Sequence, residues 1–160
     1  MLKLYKNIDG TLHYWETWEK DERTGTVHWG VLGERGESED ISSGIFASFG
    51  KKVQKLVDQK LKDGYREIDF DDMSTLLVEY SVDGMGTAAD IDKRYKLQEK
   101  MDEVLGWNGL GHCDGGSIGS GSMEVCCYVV DFDVAKKVIE KVLHGTEFGD
   151  YSIIFDENAE

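Results

Sequence analysis

The stretch "VHWGVLGERGE", residues 27–37, decides how the first third of the chain is read. Val27, His28 and Trp29 alternate in polarity, as a half-buried strand with one face toward a core would. Gly30, Gly33 and Gly36 follow at spacings that suit turn or bulge positions, where positive φ is needed. The strand reading makes Trp29 a core residue, because tryptophan is mostly buried. The rival reading leaves it exposed on a loop, where it would stack on a sugar or base. The flanking sequence speaks for strands. LKLYKN precedes the turn signal IDG, and TLHYWETWEK is an aromatic, β-favouring run closed by DERTG.

Toward the C-terminus, GERGESED is polar and glycine-rich and is expected to be a loop or hairpin. A helix is expected next, with Ser42 or Ser43 as its cap and Gly64 as its stop. Phe46, Phe49, Val53, Leu56, Val57 and Leu61 recur at helical spacing and define one apolar face. Lys51, Lys52, Lys55, Lys60 and Lys62 belong mainly to its wet side. YREIDF then reads as a short strand. FDDMST, residues 70–75, carries two adjacent acids and no apolar pattern, and marks a boundary between domains at 1–72 and 73–160.

Past that boundary, LLVEYSV reads as a buried strand, and the polar DGMGTAAD leads to a helix. This helix carries Ile91, Tyr95, Met101, Val104 and Leu105 and is stopped by Gly106. GLGHCDGG and MEVCCYVVDF give a second and third strand, joined by a long flexible hairpin over residues 114–122. Asp131 or Asp133 caps another helix, with Val134, Val138, Ile139 and Val142 inward and Gly145 as its stop. YSIIF is the last strand. The order β-α-β-β-α-β predicts a ferredoxin-like sandwich with both helices on one face of the sheet. The fold class is therefore expected to be α+β, built from two small domains.

The formal net charge is -14 over 160 residues. Residues 1–72 hold 11 Lys plus Arg against 15 Asp plus Glu, or -4; residues 73–160 hold 7 against 17, or -10. Such a surface repels phosphate backbones and anionic lipids and favours basic partners. No run of 18 apolar residues exists, and MLKLYKNIDG lacks the apolar core of a signal peptide. Cys113, Cys126 and Cys127 cannot all pair with one another, so buried thiols in a reduced, cytoplasmic protein are expected.

Three blocks in the first seventy residues, in order, resemble a WGR domain. They are YWETWEK (Tyr14 to Lys20), HWGVLGERGES (His28 to Ser38) and KLVDQKLKDGYREI (Lys55 to Ile68). The family pairs an aromatic strand with a Trp-Gly-Arg motif, a glycine turn and a lysine-bearing helix that ends in a glycine-tyrosine-acid strand. In poly(ADP-ribose) polymerases this domain contacts DNA ends, so the resemblance implies a nucleic-acid-binding module. The motif Trp and Gly fall on Trp29 and Gly30, but the motif arginine falls on Val31. Valine supplies neither the permanent charge nor the bidentate fork with which arginine holds phosphate.

Other candidate chemistry is sparse. DGGSIGSGS, residues 114–122, has the composition of a phosphate cradle, but a strand rather than a helix follows it, and Asp114 would repel an anion. His112, Cys113, Cys126 and Cys127 lack the paired spacing of a zinc site, and neighbouring strand residues point to opposite faces. His13, His28, His112 and His144 are scattered, with no nucleophile in a recognisable motif. The expectation is a non-enzymatic protein without metal or cofactor that binds a basic protein partner and no membrane. Its acidic, motif-poor composition is that of small adaptors and of immunity proteins that neutralise toxins. The alternative is a WGR-type nucleic-acid module. The candidate binding residues are Trp29, Gly30, Arg35, Lys51 and Lys55 in the first half, with Asp114 and Ser117 in the second.

Overall fold

The computed structural model describes residues 1–45 and 47–159, and Phe46, expected on the first helix, lies outside them. The protein is α+β, with two antiparallel four-stranded sheets and three α-helices among the described residues. The chain divides into two compact units, Met1–Asp69 and Phe70–Glu160.

The first unit is a meander in the order β1-β2-β3-β4, comprising β1 (Leu2–Ile8), β2 (Thr11–Glu19), β3 (Thr24–Val31) and β4 (Glu37–Ser42). Its helix is α1 (Phe49–Lys62). Side-chain alternation sorts one face of the sheet toward the helix. Leu4 stands opposite Trp15, and Trp15 opposite Trp29. With Val27 and Ile41 from the sheet and Phe49 and Val57 from α1, Leu4 and Trp15 form the unit's core. Of the loop or hairpin expected over GERGESED, the hairpin is found: Glu37–Ser42 pairs with β3 and buries Ile41, and the ladder satisfies its backbone polar groups despite its polar composition. Two expectations change here. Ser42 therefore closes a strand, and the helix begins seven residues later behind Ser48. YREIDF forms only a single bridge, in which Tyr5 and Arg66 exchange backbone hydrogen bonds of 2.7 and 2.8 Å.

The second unit opens with a single 3₁₀ turn, Phe70–Asp72. It continues as β5 (Ser74–Ser81), α2 (Ala88–Trp107), β6 (Gly111–Gly119), β7 (Ser122–Val129), α3 (Phe132–Leu143) and β8 (Ile153–Asp156). The sheet order is β6-β7-β5-β8, antiparallel throughout. Thr87 and Asp90 form a reciprocal capping box on α2, and the Asp131 side chain accepts from the Val134 amide at the start of α3. Leu76, Val78 and Tyr80 of β5 and Met123, Val125, Cys127 and Val129 of β7 are buried on the helix side. Leu97, Met101 and Leu105 of α2 and Ala135, Ile139 and Leu143 of α3 close over them.

Three further expectations are corrected in this unit. Gly106 does not stop α2, which runs on to Trp107, and Ile91 and Tyr95 are exposed because the buried stripe is Leu97, Met101, Leu105. Residues 114–122 are not a long flexible hairpin: β6 extends to Gly119 and a two-residue turn, Ser120–Gly121, returns the chain into β7. Cys113 and Cys127 are joined by a disulfide, not left as thiols, because the strand register sets them opposite each other on the helix side. Cys126 alone is free, on the other face. No helix among the described residues is long and apolar enough to cross a membrane.

Candidate functional site

The face of the first sheet opposite α1 holds a buried polar group. Register places Lys3, Glu16 and His28 side by side on β1, β2 and β3, with Tyr14 opposite Gly30. His28, 1% exposed, donates from Nδ1 to Glu16 Oε1 at 2.6 Å, and its Nε2 faces the Arg35 carbonyl. The carboxylate can only accept, so Nδ1 is the donor in that contact. Lys3 Nζ lies 3.2 Å from Glu16 Oε2, an ion pair without hydrogen-bond alignment. The Tyr14 hydroxyl sits 3.1 Å from His28 Nε2 and 2.9 Å from the carbonyl oxygens of Glu34 and Arg35. Burial first, then the charges of Glu16 and Glu34, hold the Tyr14 phenol above its ordinary range, so it stays neutral and donates.

This set ties residues 32–36 down onto the sheet. Gly36 has φ +67, and a Cβ there would collide with the Trp29 carbonyl and the Tyr14 hydroxyl. A Cβ on Gly30 would stand 2.8 Å from the Gly36 Cα. Two glycines of the quoted stretch are thus required by the close approach of the loop to β3. Tyr14 and His28 are engaged with the backbone carbonyls of residues 34 and 35, and Glu16 is engaged with the His28 and Lys3 side chains. What the arrangement does chemically is fix a loop.

The remaining residues named from sequence scatter. Trp29 is half-buried and packs against the α1 side of the core, while Trp15 is the buried tryptophan. Lys51 and Lys55 stand exposed one helical turn apart on α1. The Arg35 carbonyl is held by the network just described.

Asp114 and Ser117 lie instead on β6, and they lead to a second cluster. Asp114 and Gly115 together oppose Cys126 in a β-bulge, and the Ser117 hydroxyl donates to Glu124 Oε2 at 3.0 Å. Glu124 stands directly opposite Glu79 on the sheet face away from the helices. Four residues further along β7, Tyr128 pairs with His112, ring centroids 5.5 Å apart, and Phe70 tilts onto Tyr128 at 4.7 Å. Burial first, then the charges of Glu157, Asp114 and Glu124, push the Cys126 thiol up, against a lowering hydrogen bond from Tyr128. Phe70 and Ile153 on this face are 57% and 49% exposed. The face can therefore offer aromatic rings and carboxylates together.

Sequence reasoning missed both clusters. Tyr14 and Glu16 share one strand parity on β2, which is a signal, but only the register brings Lys3 and His28 beside Glu16. Among the described residues no group of three or more His, Cys, Asp or Glu is arranged to hold a metal ion. Comparison with known protein families, with curated proteins and with solved structures finds no match to this chain.

Proposed function

We propose that this protein is a non-catalytic binding protein that engages a basic protein partner in the manner of an adaptor or an immunity protein. The observation that carries this reading is the division of charge in the second unit. All 7 Lys plus Arg of residues 73–160 sit on α2 and α3, whereas the sheet face away from those helices carries Glu79, Asp114 and Glu124 and no Lys or Arg. Carboxylates gathered on one side raise the local concentration of cationic partners and speed their encounter. The sheet order β6-β7-β5-β8 supports reading this unit as ferredoxin-like, and the four-stranded meander with one helix supports a WGR-like first unit. The Cys113–Cys127 disulfide removes the argument from reduced thiols for a cytoplasmic location, so no location belongs to this proposal. The test is to identify what co-purifies from the native host and to reconstitute the purified pair. A basic protein bound stoichiometrically, with affinity falling as salt rises, is the expected result. A nucleic acid or an acidic protein bound in that way would replace the proposal.

A further inference from the structure

Resting on the reading of a basic partner, we propose that the helix-free face of the β6-β7-β5-β8 sheet is the docking surface and that its occupant presents arginine side chains. Three observations point there. First, Glu79 and Glu124 are direct cross-strand partners, and like charges so placed destabilise a sheet unless a cation answers them. Among the described residues, the ion pairs involve neither residue. Second, the aromatic row Phe70, Tyr128 and His112 runs along the same face, next to Asp114 and Glu157. A guanidinium is planar and weakly hydrated, so it can stack on a ring while its fork reaches a carboxylate; an ammonium does the second more readily than the first. Third, Phe70 and Ile153 keep about half of their surface in solvent, which gives apolar area to cover once charge has brought the partner in. A second copy of this chain would bring the same carboxylates and be repelled, as would a phosphate backbone.

The test uses the full chain and a short labelled peptide alternating arginine with threonine, at near-physiological salt. Its lysine counterpart and single-stranded and duplex oligonucleotides serve as comparisons. The arginine peptide is expected to bind more tightly than the lysine peptide and to shift amide resonances of β5, β7 and β8 rather than those of α2 or α3. Glu79→Gln combined with Glu124→Gln should weaken binding by at least about tenfold, and Phe70→Ala by a similar factor. Glu99→Gln with Glu103→Gln, which removes the same charge from the exposed side of α2, should change it by less than about twofold. Retained circular dichroism shows that the variants fold. If the α2 pair weakens binding as much as the sheet pair, or the shifts map elsewhere, the surface is wrong while the basic-partner reading stands. If neither cationic peptide binds the folded chain, or the chain pairs with itself through this face, both are wrong.

Discussion

Tyr14 shows how one side chain can decide the state of a loop. Its hydroxyl reaches the carbonyls of Glu34 and Arg35 and the ring of His28, so it closes residues 32–36 over a polar cluster that would otherwise be costly to bury. Tyr14→Phe keeps the ring and its packing but removes the donor. The Glu34 carbonyl then loses its side-chain donor, while the Arg35 carbonyl and the imidazole keep their contact with each other, and leaving a buried polar group unsatisfied costs about 1–3 kcal/mol. Denaturant unfolding should show a loss in that range, and amide exchange should speed up at residues 32–36 while the core of β5 and β7 is unchanged. A variant as stable as the parent, with the loop still protected, would mean that the phenol is not what holds it.

At the level of elements, periodicity was informative wherever one apolar stripe was enough to define burial. Periodicity places Met101 and Leu105 correctly on α2, although the stripe continues to Leu97 rather than to the exposed Ile91 and Tyr95, and the alternation Met123, Val125, Cys127, Val129 marks β7. It failed where pairing with a neighbour supplied what composition did not. Glu37–Ser42 offers a single buried apolar residue, Ile41, and becomes a strand because β3 is beside it. The disulfide was hidden for a related reason. Cys113 and Cys127 are 14 residues apart in sequence, and only the ladder from β6 through the Ser120–Gly121 turn to β7 sets them opposite each other. The same dependence on register concealed the contacts of Glu16 with His28 and of Glu79 with Glu124. Alkylation in denaturant without reductant should therefore modify one cysteine, Cys126, and all three after reduction. Three modified cysteines before reduction would show that the pair is not formed.

For the whole molecule, the question left by the resemblance to WGR domains is whether the chain holds nucleic acid. Binding to a phosphate backbone draws its strength from cations that displace condensed counterions, so each missing arginine lowers both affinity and salt sensitivity. Val31 stands at the motif position where the family has arginine. Trp29, beside it, is half-buried against the α1 side of the core, which reduces the ring area it can give to a base. Lys51 and Lys55 are exposed, but they sit within a stretch, residues 1–72, whose net charge is -4 from 11 bases and 15 acids. Residues 73–160 add -10, so within the Debye length of about 8 Å an approaching duplex meets an excess of carboxylates, while farther out the field is largely screened. Fluorescence anisotropy with nicked, blunt and single-stranded oligonucleotides at near-physiological salt should accordingly find no sub-micromolar binding. Replacing Val31 with arginine should strengthen whatever weak binding exists by less than about tenfold, because one restored contact cannot offset the surrounding field. Tight, salt-sensitive binding by the unaltered chain would show that local geometry overrides net charge, and would return "HWGVLGERGE" to the centre of the function.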